Sequence, residues 1–380
     1  MTEFGLALRH HWTLDPAVAF LNHGSYGATP KPVLAAQQRW RALIEAEPVD
    51  FFSRRLPGFL RAAAARLGSY LGVPGEDVVF VDNATAGANA LLQSIALKPG
   101  DRVMIHAQTY GAVRNAVLHW TGRAGAEVDV VPVPFPWRGE DLVAPFRAAL
   151  TDRTRLVILD HITSPTAMIY PVAEIIAAIA PVPVLVDGAH APGQIDLDLG
   201  RLGATWYTGN AHKWLCAPKG AAFLWAAPAA QAMLHPTVIS HGWSKGFRAE
   251  FDWTGTRDPS AALCVPDCLD FRDQIGGDAA IKAGSRDLAR EAAAMLAAAW
   301  NTETGGPEEG FAAMRMVRLP VSGSFVQADA IAFRDRLFAE HRVEIPVNAL
   351  AGGLWCRLSA APYNAPADYE RLAMAVRALA

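Results

Sequence analysis

The feature of this sequence that most constrains its fold is a regular alternation of two kinds of segment between residues 78 and 187. Short runs rich in β-branched residues predict strands at residues 78–81, 103–106, 127–132, 156–160 and 183–187. Longer runs rich in Ala and Leu lie between them and predict helices at residues 85–97, 112–122, 141–150 and 172–180. Strands that are joined by helical crossovers form parallel sheets whose two faces are both covered.

Two more predicted strands, residues 205–209 and 220–225, leave no room for a helix between them. We therefore expect these two strands to pair antiparallel, because only a crossover connection allows parallel pairing. Together the seven segments predict an α/β fold: a mostly parallel seven-stranded sheet at the centre of a three-layer large domain.

The remaining segments predict two further helices of the large domain and a second, smaller unit. Helical patterns cover residues 31–46, 60–71 and 259–300, and the last part of the chain predicts strands at 314–319, 343–347 and 354–359 with helices at 328–340 and 366–380. Because 380 residues exceed what one hydrophobic core usually serves, we expect a divided chain. The predicted parts are residues 1–19, a segment packing on the small domain; 20–258, the large domain; and 259–380, a connecting helix with a small α+β domain.

Composition narrows the class of partner and the compartment. The formal net charge is −3 and only 19% of the residues are charged, which favours a small-molecule substrate over nucleic acid. The four cysteines show no CxxC spacing or metal cluster, and the longest apolar run, residues 175–186, is interrupted by two prolines and too short to span a bilayer. We expect a cytoplasmic protein with reduced thiols, no metal and no membrane contact.

The residues that favour catalysis most strongly are Asp187, His190 and Lys213. Asp187 ends a predicted buried strand, which is where ligands gather in open α/β sheets, and Lys213 follows the next short strand. A cofactor that is held as a lysine imine and accepts electrons needs an amine and a carboxylate against its ring nitrogen. A solvated lysine and an Asp-Gly turn are the ordinary alternatives for these residues.

Three other positions could complete such a site. Residues 82–88 leave a strand and open a helix, so the helix N-terminus and the Thr85 hydroxyl could bind phosphate, although an ordinary N-cap by Asn83 is also common. No Walker lysine or GxGxxG follows, which disfavours a nucleotide. Tyr110 could stack on a planar cofactor or pack in the core. Arg357 could bind a substrate carboxylate or form a surface ion pair.

These motifs resemble the pyridoxal-phosphate-dependent class V aminotransferases of fold type I, and within them the isopenicillin N epimerase-like branch. The matching segments follow the family's order over nearly the whole chain; they are residues 21–27 (LNHGSYG), 83–85 (NAT), 163–166 (TSPT), 187–192 (DGAHAP), 209–214 (GNAHKW), 253–256 (WTGT) and 357–359 (RLS). The resemblance implies an aspartate aminotransferase-like large domain and pyridoxal 5'-phosphate as the cofactor.

The resemblance also implies a role for each matching residue. Lys213 would form the cofactor imine and shuttle the α-proton, Asp187 would pair with the ring nitrogen, and His190 would lie near the phenolic oxygen. The other implied cofactor contacts are Ala84, Thr85, Tyr110, Thr163, Ser164, Asn210, His212 and, from the partner chain of a homodimer, Thr256. The implied substrate contacts are Asn22, His23 and Arg357.

The shared first step would be removal of the α-proton from an amino-acid substrate, followed by epimerisation, transamination or elimination. An epimerase-like reaction is the main expectation, and a C–S lyase acting on a cysteine conjugate is the alternative. Desulfurase chemistry is disfavoured because Cys356 lies in a predicted strand and not on a mobile loop. Two further classes stay open: a catalytically silent binding protein of this fold, and a nucleotide-binding protein. Candidates for side-chain specificity are Phe51, Phe52, Arg54, Arg55, His241, Trp243 and Arg248.

Overall fold

The structure, a computed structural model, describes residues 5–380. The strands in these residues are β1 Ala19–Phe20, β2 Val78–Val81, β3 Arg102–His106, β4 Glu127–Val131, β5 Thr154–Asp160, β6 Val184–Asp187, β7 Trp206–Asn210, β8 Ala222–Ala226, β9 Met314–Arg318, β10 Val343–Glu344, β11 Val347–Leu350 and β12 Gly353–Ser359. The helices before β5 are α1 Leu6–Arg9, α2 His23–Tyr26, α3 Lys31–Ala46, α4 Pro48–Asp50, α5 Leu56–Leu71, α6 Ala84–Ser94, α7 Gly111–Ala124 and α8 Ala144–Ala148. Those after β5 are α9 Val172–Ile179, α10 Leu199–Leu202, α11 Phe247–Asp252, α12 Ser260–Leu263, α13 Val265–Gln274, α14 Asp278–Trp300, α15 Gln327–His341 and α16 Pro366–Leu379.

The central sheet has seven strands in the order β2-β8-β7-β6-β5-β3-β4. Strand β8 runs antiparallel to both of its neighbours, and the other pairings are parallel, so the predicted fold class is confirmed. Alternate side chains of β5 enter different hydrophobic clusters: Val157 and Leu159 join one, and Leu156 and Ile158 join the other. Both faces of the sheet are therefore buried, which explains the apolar composition of its strands.

A three-stranded antiparallel sheet, in the order β11-β12-β9, lies in the C-terminal part of the chain. It shares a separate hydrophobic cluster with α14, α15 and α16. The prediction of one strand over residues 343–347 was wrong, because β10 pairs with β1 and β11 pairs with β12. Pro346 stands between them, and a proline has no N–H to continue a strand ladder.

The predicted helix over residues 259–300 is divided into α12, α13 and α14. Two glycines with positive φ, Gly276 (125°) and Gly277 (89°), separate the last two helices. Helices α12 and α13 pack against α3 and α5, while α14 packs against β9 and α16. Among residues 5–19, Gly5 N–H donates to the Pro362 carbonyl at 2.8 Å. The predicted domain boundaries themselves stay a prediction, and residues 1–4 lie outside the described residues.

No helix within residues 5–380 combines the length and the hydropathy that crossing a bilayer requires.

Candidate active site

A cavity of about 530 Å³ opens at the carboxyl ends of the central parallel strands. Asp160, Asp187 and Thr208 lie side by side there, because β5, β6 and β7 pair in register at these positions. The segment after β7 brings Lys213 into the same cavity, and the start of α6 closes one end of it. The predicted residues that line the cavity are Ala84, Thr85, Tyr110, Ser164, Asp187, His190, Asn210, His212 and Lys213.

Lys213 is buried, with 9% of its surface exposed. Its Nζ lies 3.2 Å from His190 Nε2. Burial, together with the nearby positive charge of Arg357, lowers the pKa of Lys213 to about 7. Near neutral pH a large fraction of this amine is therefore unprotonated, which is the form that attacks a carbonyl.

Asp187 is also buried and forms no salt bridge with any described residue. Its Oδ1 accepts a hydrogen bond from the Ala189 N–H at 3.0 Å. Burial and the neighbouring carboxylate of Asp160 raise the pKa of Asp187 to about 7. A cationic group placed against this carboxylate would stabilise its charged form.

Asp160 is a buried acid in the cavity that the sequence analysis missed. Its Oδ2 accepts the backbone N–H of Tyr110 at 3.3 Å, and His106 Nε2 lies 3.2 Å from its Oδ1. His106 is in turn 3.2 Å from the hydroxyl of Tyr170 through its Nδ1. Asp160 stands at the carboxyl end of a predicted strand, as Asp187 does at the end of another. This position could have identified Asp160 as a site residue.

The first turn of α6 forms one end of the cavity. Asn83 caps this helix, since its side chain accepts the Ala86 N–H at 2.9 Å, and Asn210 Oδ1 accepts the Ala84 N–H at 2.9 Å. The Ala84 amide is thus occupied, whereas Thr85 lines the cavity. His212 lies 3.0 Å from the Ala221 carbonyl through Nδ1, which therefore donates, and burial lowers the pKa of His212 to about 4. An anion at this end would meet a helix N-terminus and a neutral imidazole.

Arg357 is a buried guanidinium without a carboxylate partner among residues 5–380. Its terminal nitrogens donate to the Ser164 carbonyl and, at 3.2 Å, to Ser25 Oγ, while its Nε has no hydrogen-bond partner in the described chain. Burial lowers the pKa of Arg357 to about 10. Arg357 and Lys213 both line a second cavity of about 640 Å³. A carboxylate bound there could pair with this arginine.

Three predicted contacts are not brought to the cavity. Thr163 is fully buried in a turn, where its hydroxyl lies 2.6 Å from that of Thr166. Asn22 donates to Glu344 at 2.9 Å, and His23 lies 2.7 Å from the Tyr363 hydroxyl and 3.0 Å from the Lys213 carbonyl. These polar groups have partners inside the protein, and His23 lies against the Lys213 backbone. The substrate contacts of Asn22 and His23 stay a prediction.

Thr256 is exposed on the loop after α11 and does not line the cavity within its own chain. Its neighbour Arg257 forms an ion pair with Asp82, which is a cavity residue. Of the specificity candidates from the sequence, Phe51, Phe52, Arg54, Arg55, His241, Trp243 and Arg248, none lines either of the two cavities that contain Lys213.

Residues that the sequence analysis missed also line these cavities. Ser25 and Tyr26 contribute to both of them, and Gln108, Arg334 and Asn348 contribute to the larger one. Ser25 and Tyr26 belong to the HGSYG motif, which was a usable signal. The other three come from distant segments that only the tertiary fold brings together.

The arrangement fits pyridoxal phosphate, the cofactor that the resemblance implies. Lys213 offers a buried amine, Asp187 offers a buried carboxyl without a cationic partner, and the first turn of α6 offers an anion site with Thr85. His190 Nδ1 is buried and has no hydrogen-bond partner within the described chain. Each of these groups has a counterpart in the cofactor. Lys213 matches the aldehyde, Asp187 the ring nitrogen, the start of α6 the phosphate and His190 the phenolic oxygen.

Comparison with known proteins shows the family. The model of the family described as Aminotransferase class-V matches residues 29–372. A putative L-cysteine desulfhydrase of Oryza sativa subsp. japonica is 36% identical, with 97% of this chain and 84% of the relative covered. An isopenicillin N epimerase of Streptomyces clavuligerus is 32% identical, with 98% of this chain and 97% of the relative covered.

Two solved structures show the same fold. A cysteine desulfurase from Thermococcus onnurineus aligns with a TM-score of 0.84 at 16% identity, over 100% of this chain and 98% of that one. A mutant of C-DES, described with glycine covalently linked to its PLP cofactor, aligns with a TM-score of 0.82 at 20% identity, over 97% of this chain and 98% of that one. Taken with the family match and the relatives above 30% identity, the chain belongs to the class V aminotransferases, a family of pyridoxal-phosphate-dependent enzymes.

Proposed function

We propose that this enzyme holds pyridoxal phosphate on Lys213 and removes the α-proton of an α-amino acid. The observation that carries the proposal is that a buried amine, Lys213, lines one cavity with the buried carboxyl of Asp187 and a second cavity with Arg357, a buried guanidinium without a carboxylate partner among the described residues. When bound, pyridoxal phosphate supplies a ring that accepts the electron pair left at Cα.

The chain's own residues supply binding and proton transfer. Arg357 would bind the α-carboxylate through its two terminal nitrogens, which fixes the Cα–H bond near Lys213. Lys213 Nζ, whose pKa burial lowers, would take the α-proton. Asp187 would keep the ring nitrogen protonated, and Thr85 with His212 would hold the phosphate.

Among the possible products, we propose elimination at Cβ of a cysteine-type substrate. Burial holds the pKa of His190 well below its ordinary value and lowers that of His212 to about 4, which leaves Lys213 Nζ, 3.2 Å from His190 Nε2, as the group that we assign as the base. One base suffices for elimination: the α-proton goes to Lys213 Nζ, the Cβ–S bond breaks, and the leaving thiolate takes a proton from the same lysine. Hydrolysis then gives pyruvate and ammonium. The relative named a putative L-cysteine desulfhydrase supports this choice.

An isopenicillin N epimerase-like reaction is the second candidate. It is favoured by the relative of that name, which is matched over 97% of its length. Epimerisation would return the proton to the opposite face of Cα, and the Tyr110 hydroxyl at the cavity wall is available for that step. The two candidates share every residue role up to proton removal.

The test begins with cofactor attachment. The purified protein should be yellow; borohydride should reduce the imine to a secondary amine, which discharges the colour and leaves the cofactor attached to Lys213, where mass spectrometry of peptides locates it. Lys213→Ala should lose both the chromophore and turnover, whereas Lys98→Ala, which changes an exposed loop lysine, should keep both. A colourless wild-type protein that takes up no pyridoxal phosphate would refute the proposal.

Product analysis then separates the candidates. With L-cysteine and S-substituted cysteines, elimination releases pyruvate and a thiol or sulfide in equal amounts. Epimerisation instead produces the D-amino acid with the side chain intact, and transamination produces a 2-oxo acid that retains its sulfur. Incorporation of deuterium at Cα in deuterated water reports the shared proton removal in all three cases.

We further propose that the enzyme is a homodimer in which Thr256 contacts the phosphate site of the partner. Val238, Ile239 and Trp243, each at least half exposed, form an apolar loop surface that supports an interface. Light scattering should give the mass of a dimer, and mixing Lys213→Ala with Thr256→Val chains should restore cofactor affinity at one site per heterodimer. A monomer, or no restoration, contradicts this proposal.

The four buried free cysteines support the cytoplasm as the compartment.

A further inference from the structure

The larger of the two cavities that contain Lys213 has a positively charged lining. Its volume of about 640 Å³ lies in the range of about 300–1,000 Å³ that is typical for drug-sized ligands. Lys213, Arg334 and Arg357 line it, and none of the described residues along its wall is Asp or Glu. Three acids, Asp82, Asp160 and Asp187, line the neighbouring cavity that would hold the cofactor.

Two of these three cations have partners in the proposed reaction. Lys213 would exchange with the amino group of the substrate, and Arg357 would bind the α-carboxylate. Arg334 has no such partner, although it lies on the same wall. A substrate with one carboxylate would therefore leave Arg334 with only the adjacent carboxylate of Asp335 as a partner.

Arg334 projects from α15, which packs against β11. Its Nε and Nη2 lie 3.0 and 2.8 Å from Oδ1 of the adjacent residue Asp335, and both side chains are substantially exposed (43% and 62%). An exposed ion pair of this kind is weak, so Arg334 can exchange Asp335 for a ligand at small cost. Asn348, on β11, lines the same cavity beside it.

Resting on the proposed function, we propose that the substrate is an amino acid whose side chain ends in a second carboxylate, and that Arg334 binds this group. The amino group is held at Lys213, the α-carboxylate at Arg357 and the distal carboxylate at Arg334. The distal group thus selects the substrate without taking part in proton transfer. Unsubstituted cysteine, which has no distal carboxylate, would use only part of the site.

Two probes of matched shape test this specificity: S-(2-carboxyethyl)-L-cysteine and its neutral amide, S-(2-carbamoylethyl)-L-cysteine. Dissociation constants are obtained from the absorbance change of the bound cofactor, and α-proton exchange in deuterated water gives the kcat/KM for each probe. Wild-type enzyme should favour the carboxylate by about tenfold or more, as expected for a hydrogen bond between charged groups. Arg334→Gln should bring the ratio of the two probes close to one by weakening only the carboxylate.

Arg336→Gln is the matched control, because Arg336 lies on the same helix, pairs with Glu340 at 2.9 Å and does not line the cavity. It should keep the wild-type ratio, and Arg334→Lys should retain part of it. Equal binding of the two probes by wild-type enzyme, or a preference that survives in Arg334→Gln, would overturn the inference. Failure of the proposed function looks different, since then no amino acid would exchange its α-proton.

Discussion

We expect Arg357 to strengthen substrate binding without stabilising the folded protein. A guanidinium that is buried without a carboxylate costs free energy in the folded protein, so removing it should not lower stability. Arg357→Gln should raise the KM for α-amino acids by about 100-fold, because a charge-assisted hydrogen bond to a carboxylate is lost. Steady-state kinetics measure the first effect and thermal unfolding the second.

The control for this prediction is Arg318→Gln. Arg318 is a partly exposed residue of β9, the strand that pairs with β12, and it forms an ion pair with Glu303 at 3.4 Å. It should change neither KM nor thermal stability appreciably. A large loss of stability in Arg357→Gln, with KM unchanged, would show that Arg357 is a structural residue.

Asp160 gives a prediction about cofactor retention. Its carboxylate lies beside Asp187 at the end of the next strand and accepts the Tyr110 N–H. Asp160→Asn should raise the dissociation constant for pyridoxal phosphate about tenfold, since one negative charge near the ring nitrogen is removed. Cofactor absorbance during equilibrium dialysis measures this change. The control is Asp101→Asn. Asp101 is a buried acid directly before β3 and pairs with Arg155, so this substitution should leave the dissociation constant unaltered.

At the residue scale, the sequence was sufficient to predict where a side chain lies when its position along a strand decides that location. Asp187 and Lys213 follow strands of one parallel sheet, so their meeting at its carboxyl edge could be predicted. The partners of Asn22 and His23 within the protein could not be predicted, because Glu344 and Tyr363 are more than 300 residues away. No local pattern reveals that a polar side chain is already satisfied by such a partner.

At the scale of elements, the loop before α3 is held tightly against the Lys213 segment. Gly27 has φ of 70°, and a Cβ at this position would lie 2.1 Å from the His212 carbonyl oxygen. Gly27→Ala should therefore destabilise the protein by about 2–4 kcal/mol and weaken cofactor retention, because backbone strain and a clash with backbone add together. Chemical unfolding and cofactor absorbance measure the two effects.

Gly58, in α5, is the matched control for this substitution. A Cβ at Gly58 would meet no atom within 4 Å, so Gly58→Ala should stabilise the helix by about 0.5–1 kcal/mol. If the two substitutions had the same effect, the packing of the Gly27 loop on Lys213 would not contribute to stability.

Element boundaries were predictable where the cause is local. Helix α3 begins and ends at the predicted residues because Pro30 and Pro32 mark its start and its apolar spacing is regular. The split of residues 343–350 between β10 and β11 depends on two different neighbours, β1 and β12, which lie far apart in sequence. Periodicity within one segment carries no information about such a change of partner.

At the scale of the whole molecule, buried titratable groups predict how stability of the cofactor-free protein depends on pH. Burial lowers the pKa of His23 to about 3 and those of His161 and His212 to about 4, all from 6.5. The unfolded chain therefore binds protons at these residues below about pH 6.5, while the folded protein does not. Their contribution to stability is fully present above pH 6.5 and is lost as pH falls towards 4.

Asp187 acts with the opposite sign, because burial raises its pKa from 3.8 to about 7. Its contribution is fully present below pH 3.8 and is lost as pH rises towards 7. Lys213 is charged in both states below pH 6.5, so its lowered pKa matters only between about pH 7 and 10.5. Burial also lowers the pKa of His190 and raises the pKa values of Asp252 and Asp267. Four buried histidines against three aspartates leave a net stabilisation with rising pH between pH 4 and 6.5.

The free energy of unfolding of the cofactor-free enzyme should therefore rise with pH over this window, since each group contributes up to about 1.4 kcal/mol per pH unit. Asp187→Asn removes one opposing group and should steepen the slope, whereas His161→Gln should reduce it. His119→Gln changes an exposed histidine and should leave the slope unaltered. Urea unfolding at several pH values measures these slopes, and a wild-type stability that falls between pH 4 and 6.5 would show that the buried histidines bind protons in the folded state.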